Sequence, residues 1–177
     1  MEGFENNYQR PRLGDRPQGG GFQKWERNKP EGDNKDRLFP DKFLSQLSFN
    51  NRWITEGADK DMNDFAEKSG EYMAPKDERD KDKLSKSQIR NVYGEIKRIQ
   101  LKGINSAEGQ SSFVLLKAKV AYAEGRNKTK GLTLFKLIFN KGWEVVTNNG
   151  YDSKMYNNFC NLLEAILAYH KAYGGKD

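Results

Sequence analysis

The chain has 177 residues, of which 35% are hydrophobic and 32% are charged, so it can bury one substantial core but not two large ones. No apolar run is long enough for a signal peptide or a membrane span, and we therefore expect a cytoplasmic protein with no membrane partner. The single cysteine, Cys160, excludes an intramolecular disulfide and a cysteine-based zinc site, and we expect it to be a small buried side chain.

The net charge of +6 is unevenly distributed along the chain. Residues 1–37 carry 8 Lys/Arg and 7 Asp/Glu, residues 38–84 carry 8 and 11, and residues 85–177 carry 15 and 7. A folded region with such a basic surplus is a candidate for binding a polyanion. Lysines that merely keep a helical surface soluble would give the same composition, so the charge alone leaves both interpretations open.

Residues 1–37 combine three consecutive glycines with proline, Asn, Gln, Arg and scattered aromatic residues, and they show neither helical nor strand periodicity. Such a segment cannot bury enough apolar surface to offset its ordering entropy, so we predict a disordered tail. Its Arg and aromatic residues are suited to loose contact with single-stranded RNA, whereas a tail without a role is the alternative. Residues 38–177 are expected to form the folded domain.

Two apolar segments precede the basic half of the chain. The first, Leu38 to Ile54, has apolar residues at helical spacing after a Phe-Pro pair that is typical of a helix start. The second, Ala58 to Met73, has an apolar stripe opposite an acidic face and predicts a helix that Pro75 ends. The mixed-charge run at 76–83 predicts a solvated linker.

Residues 84–177 are the most strongly patterned part and predict four further helices. The first begins at Ser85, whose spacing to Gln88 is that of a capping box. The others span Gln110–Glu124, Leu132–Thr147 and Asp152–Tyr173, each with apolar residues three and four positions apart. No strand periodicity is sustained, so the expected fold is all-α, a compact bundle of about five helices with the disordered N-terminal tail.

The last helix carries the clearest start and stop signals. Asp152 or Ser153 can cap its N-terminus, and Gly174 can adopt the left-handed conformation that ends a helix. Its aromatic residues lie at helical spacing, which favours the core over a base-stacking platform. Three aromatic residues are the candidates for exposure: Trp143, Tyr151 and Tyr156.

Little in the sequence supports an enzyme. His170 is the only histidine, and near the end of an apolar helix it is best interpreted as a buried imidazole with its hydrogen bonds made. No Ser/His/Asp set, phosphate-binding glycine loop or HExxH motif is present, and the carboxylates of the basic half are dispersed. Glu164 is expected to make a structural contact. We therefore expect no catalytic residue, metal or cofactor, and a small hydrolase built on His170 is the weakest hypothesis.

Two segments together resemble a known family. They are LSKSQIRN at Leu84–Asn91 and LEAILAYHKAYGG at Leu163–Gly175. In this order and with helices between them, they are similar to the small helical subunit of the type III-A CRISPR effector, the Csm complex. The resemblance covers residues 84–175, with the helix at 58–73 as a weaker match, and residues 1–50 exceed what the family leads us to expect.

The resemblance implies a non-catalytic subunit in a cytoplasmic antiviral defence complex. Several copies would stack along the backbone subunits that hold the guide RNA, with a basic face lining the channel of the guide–target duplex. Target cleavage would belong to the backbone subunits, and nucleotide and DNA chemistry to the large subunit. The partners implied are thus the guide RNA–target RNA duplex, the backbone and large subunits and further copies of this chain.

The candidate RNA-binding residues have two origins. Arg90 matches a position within the first motif, and the others are inferred from charge and expected exposure on helices or on a loop at 125–131. The competing function is a free-standing single-strand nucleic-acid chaperone that uses the basic helices and the Gly/Arg-containing tail. The full candidate set is Arg90, Lys97, Arg98, Lys119, Arg126, Lys128, Lys130, Lys136 and Lys141.

Overall fold

The structure is a computed structural model that describes residues 37–175, so most of the tail predicted at 1–37, and residues 176–177, lie outside the described part. Within it the chain forms helices and no strand, which confirms the all-α prediction. The expected count of about five helices is wrong for this part of the chain, which has seven. They are α1 Pro40–Leu47, α2 Arg52–Thr55, α3 Lys60–Met73, α4 Lys86–Lys102, α5 Ala107–Arg126, α6 Lys130–Asn148 and α7 Ser153–Ala172.

The difference in helix number arises in the apolar segment at 38–54, which folds as two short helices. Ser48 adopts a left-handed conformation, with φ of 56°, and thereby ends α1. The side chain of Asn50 then accepts a hydrogen bond from the backbone N–H of Arg52 at 3.0 Å and starts α2. A local turn of this kind divides the segment into two helices, although the spacing of its apolar residues in the sequence gives no sign of the break.

Helix α5 extends further at both ends than the predicted 110–124. Ser106 caps it by accepting a hydrogen bond from the N–H of Gly109 at 3.0 Å. Gly109 lies in the first turn, where a Cβ atom would collide with the carbonyl oxygen of Gly103. This glycine therefore serves a close approach of the chain rather than ending a loop.

Helix α7 is central to a single hydrophobic core, as its apolar stripe predicts. It packs against α3, α2 and α6, while α4 packs mainly against α5. Phe159 is fully buried and contacts the rings of Phe113, Phe139 and Tyr156. Burying each such side chain contributes roughly 1.5–3 kcal/mol to stability, so the packing around α7 dominates the fold.

The caps predicted for α7 are confirmed. The carboxylate of Asp152 accepts a hydrogen bond from the N–H of Met155 at 2.9 Å, and Gly174 has a positive φ of 97° after the last turn. None of the described helices has the length and apolarity needed to cross a lipid bilayer.

The charged run at 76–83 is not wholly solvated. The buried guanidinium of Arg37 donates to the carbonyl oxygen of Ala74 and pairs with Asp80, both at 2.7 Å. Burial alone would raise the pKa of Asp80, but backbone N–H donors and Arg37 outweigh it and lower the pKa. This segment is therefore tied to the core beside the end of α3.

Candidate nucleic-acid interface

The start of α4 and the end of α5 are joined by one side chain, the buried Gln88. Its Oε1 accepts a hydrogen bond from the backbone N–H of Ser85 at 2.8 Å, which is the returning bond expected of the capping box. Its Nε2 donates to the carbonyl oxygen of Asn127 at 3.1 Å. One amide therefore fixes the start of α4 against the residue that follows α5.

An open groove of about 510 Å³ runs between α4 and α5 beside this junction. Its floor is apolar and includes Val92, Leu116 and Ala123, whereas its rim is polar and charged. The rim includes Asn91, Glu95, Lys119, Tyr122, Arg126 and Asn127.

Three of the nine candidate cations are close in sequence to this junction and form no ion pair in the described part of the chain. Arg90 is exposed on α4, Arg126 is the last residue of α5, and Lys128 lies in the short loop that follows. None of the three makes a hydrogen bond, ion pair or ring contact to another described residue. The loop predicted at 125–131 is shorter than expected, because Thr129 caps α6 by accepting from the N–H of Leu132 at 3.1 Å.

Two further candidates converge on one carboxylate at the groove. Glu95 pairs with Arg98 on its own helix and with Lys119 across the groove, the latter at 2.9 Å. The hydrogen bond from Lys119, together with the charges of both cations, lowers the pKa of Glu95. The three groups carry a net charge of about +1, so this part of the rim stays basic.

Lys97 points away from the groove, toward α7. Its Nζ pairs with Glu164 and also donates to the side chain of Gln100 at 3.1 Å. The ammonium lies 5.4 Å from the ring centroid of Tyr93, and the hydrogen bond to Glu164 raises the pKa of Lys97. The structural contact expected of Glu164 is confirmed, and it neutralises Lys97.

The remaining three candidates also have neighbours within the described chain. Lys136 pairs with Glu124 at 2.7 Å, and that hydrogen bond lowers the pKa of Glu124. Lys130, the first residue of α6, lies 3.4 Å from Asp82 and near the ring of Phe39. Lys141 lies 5.9 Å from the ring centroid of Phe49. The two carboxylate pairs are only partly exposed, so a phosphate would have to displace a carboxylate to reach Lys130 or Lys136.

The three aromatic residues singled out in the sequence belong largely to the core. Tyr156 is buried and its hydroxyl donates to the carbonyl oxygen of Ile96 at 2.8 Å. Trp143 is half-buried, and its Nε1 donates to the carbonyl oxygen of Phe113 at 3.0 Å. Tyr151 is half-buried at the turn before α7.

Among the described residues the most exposed aromatic ring is that of Tyr122 on α5, which is 71% exposed. Sequence reasoning missed it, although a usable signal was present. Phe113, Leu116 and Val120 define the buried stripe of α5, and Tyr122 falls outside it. An aromatic residue on the outer face of a helix is the feature that would have identified it.

The two groups with the most reactive chemistry are both buried. Only 2% of His170 is exposed, and its Nε2 lies 3.1 Å from the carbonyl oxygen of Leu84, as expected of an imidazole with its hydrogen bond made. Burial lowers the pKa of His170. Cys160 is fully buried, as predicted, which raises its pKa to about 11. Across residues 37–175, no three His, Cys, Asp or Glu side chains are placed to hold a metal ion together.

Comparison with known families gives one match over most of the described chain. The family model described as Csm2 Type III-A matches residues 58–176, about two thirds of the sequence. The match includes α3 to α7, both motifs and all nine candidate cations. Neither the curated proteins nor the solved structures contain a significant match to this chain.

Proposed function

Since this chain belongs to the Csm2 Type III-A family and is thus a small subunit of a type III-A CRISPR effector complex, we propose that it lines the guide RNA–target RNA channel. In this role its cations contact sugar-phosphate and stabilise bound target RNA, while base pairing reads the sequence. Its neighbours in the channel are the backbone and large subunits and further copies of itself. The chain acts as a structural element and leaves the chemistry to other subunits.

The observation that carries this proposal is the position of Arg90, Arg126 and Lys128. All three are exposed, close in sequence to Gln88 or Asn127, and form no ion pair within residues 37–175, although the charge of Lys128 helps to lower the pKa of Glu124. Cations without an internal ion pair can attract phosphate without first giving up a carboxylate. The six other candidates would act as a second, weaker set.

The test is a charge reversal in the reconstituted effector complex. Arg90→Glu, Arg126→Glu and Lys128→Glu in one chain should weaken target RNA association strongly and reduce its salt dependence. The slope of log affinity against log salt should fall by roughly 0.7–0.9 for each lost phosphate contact. Lys97 is left unchanged, because a carboxylate there would face Glu164 and add a like-charge repulsion unrelated to RNA.

The matched control reverses the same number of exposed lysines elsewhere, namely Lys42, Lys60 and Lys68 on α1 and α3. It alters the net charge equally, so a general loss of attraction would weaken both variants alike. Equal target affinity for the two variants would refute the proposal. Removal of residues 1–36 separates it from the chaperone alternative, in which that deletion abolishes RNA binding.

A further inference from the structure

The groove between α4 and α5 has the size of a small-ligand site. Its volume of about 510 Å³ lies within the range of roughly 300–1,000 Å³ that clefts for small ligands occupy. Its apolar floor is formed by side chains of both helices, so the two walls are held at a fixed separation by core packing. A planar group of the size of a nucleobase can enter such a cleft without rearranging the core.

Tyr122 is the one rim residue whose ring is available for stacking. It is 71% exposed, and within residues 37–175 it makes no hydrogen bond and no contact with another ring. An exposed tyrosine ring leaves apolar surface in contact with water, and a stacked base would cover that surface. Bases of unpaired RNA stack on aromatic rings of this kind, largely without regard to sequence.

The other rim residues supply polar groups on either side of that ring. Asn91 on α4 and Asn127 after α5 each carry an amide that can both donate and accept hydrogen bonds. Arg126 lies four residues, about one helical turn, after Tyr122, so its guanidinium is on the same side of α5. The ring can stack on a base, and the amides can form hydrogen bonds with the edge of that base. The guanidinium can bind the adjoining phosphate.

We propose that this groove binds one unpaired base of the RNA, stacked on Tyr122, with the adjoining phosphate at Arg126. The inference rests on the proposed function, because it assigns to one RNA-contacting surface a nucleotide that is flipped out of the duplex. The proposed function involves only phosphate contacts, which do not depend on the base. This inference adds recognition of an unpaired base. A protein side chain from a neighbouring subunit is the rival occupant, but the cations around the groove favour a nucleotide over an apolar side chain.

The experiment uses the full chain and three fluorescently labelled RNA duplexes of one sequence. The first is fully paired, the second carries one bulged nucleotide, and the third carries the same bulge as an abasic site. The last two have the same number of phosphates and the same interruption, so only the unpaired base differs. We expect the bulged base to bind about five- to tenfold more tightly than the abasic bulge, the lower end of what a single base–aromatic stack supports.

Three variants assign that difference to the groove. Tyr122→Leu keeps an apolar side chain with high helix propensity and should bind both bulged duplexes equally, whereas Tyr122→Phe should retain the preference. Tyr173→Leu removes another exposed tyrosine, at the end of α7, and should also retain it. Circular dichroism should show the same helicity in all of them.

The outcomes separate this inference from the proposed function. Salt-dependent binding of all three duplexes with equal affinity would overturn the groove assignment and leave phosphate contact intact. Absence of binding to any duplex, by the chain alone and in the assembled complex, would overturn both. If Tyr122→Leu keeps the preference but no longer assembles with the other subunits, the groove holds a protein side chain and the inference is wrong.

Discussion

The helix pair α3–α7 and the helix pair α4–α5 are packed in different ways, and the difference separates stability from binding. Where α3 crosses α7, a Cβ atom on Gly70 would lie 2.6 Å from the backbone nitrogen of His170, so the two helices are in backbone contact. Between α4 and α5 there is instead an open groove, with charged residues on its rim. The first pair has no room for a ligand, whereas the second has both the room and the charge for one.

The largest expected effect comes from truncating an aromatic ring in the first region and comparing it with the second. Phe159→Ala removes a ring that contacts three others in the core, and it should lower the free energy of unfolding by about 3–5 kcal/mol. Tyr122→Ala removes a similar ring from the exposed face of α5 and should change it by no more than about 0.5 kcal/mol. Urea unfolding measures the free energy of unfolding of both variants. Similar decreases in the two would contradict the assignment of stability to the α3–α7 region.

A smaller effect is expected from adding one methyl group to each region. Gly70→Ala places a Cβ atom against the backbone of α7 and should cost about 1–3 kcal/mol. Gly94→Ala on α4 meets no atom within 4 Å, and its higher helix propensity should stabilise the isolated chain by about 0.5–1 kcal/mol. Thermal unfolding distinguishes the two, and destabilisation by Gly94→Ala would show that α4 is more closely packed than the structure indicates.

The third effect is the pH dependence that the first region confers through His170. Burial lowers the pKa of His170 below the 6.5 of an exposed histidine, so the unfolded chain binds a proton more readily than the folded one. The stability from the neutral imidazole is therefore complete above about pH 6.5, and it falls as the pH decreases from there toward the folded-state pKa.

Denaturant unfolding between about pH 5 and pH 8 measures this slope. His170→Gln keeps a side-chain N–H that can donate to the carbonyl oxygen of Leu84 but removes the titrating group. The variant should lose the decline in stability over this interval. If wild type and variant show the same decline, another group is responsible and the assignment to His170 is wrong.

The sequence predicted the first region better than the second, and the reason is physical. A buried stripe such as Phe159 and Ile166 leaves a periodicity in the sequence, and helix caps such as Asp152 are local signals. The break between α1 and α2 was missed because it depends on the left-handed backbone of Ser48, which few sequences encode clearly. All five longer helices were predicted, with their boundaries shifted by a few residues.

For the candidate interface, charge identified the cations but not their partners. Glu95 and Glu164 neutralise cations from other helices, and such pairing depends on the packing of α4 against α5 and α7 rather than on sequence spacing. Arg90 and Lys97 were therefore both candidates, although Lys97 is paired with Glu164 and Arg90 forms no ion pair in the described chain. Tyr122 was missed because helical periodicity identifies the residues of a buried stripe and carries no information about an aromatic residue outside it.

The smallest effect, and the sharpest test of the second region, concerns the carboxylate at the rim of the groove. Glu95 holds both Arg98 and Lys119, so Glu95→Gln releases two cations at the edge where RNA is proposed to bind. RNA affinity should rise by about two- to fivefold, and the salt dependence should steepen by roughly one phosphate contact. Stability should change little, because exposed ion pairs contribute at most about 1 kcal/mol.

Glu164→Gln is the matched control, since it releases Lys97 on the side that faces α7 rather than the groove. It makes the same change in net charge, so a purely long-range effect would raise the affinity of both variants equally. A larger gain for Glu95→Gln places the RNA at the α4–α5 side. A larger gain in RNA affinity for Glu164→Gln would instead place the RNA at the α4–α7 side. The separation between a region for stability and a region for binding would then be wrong.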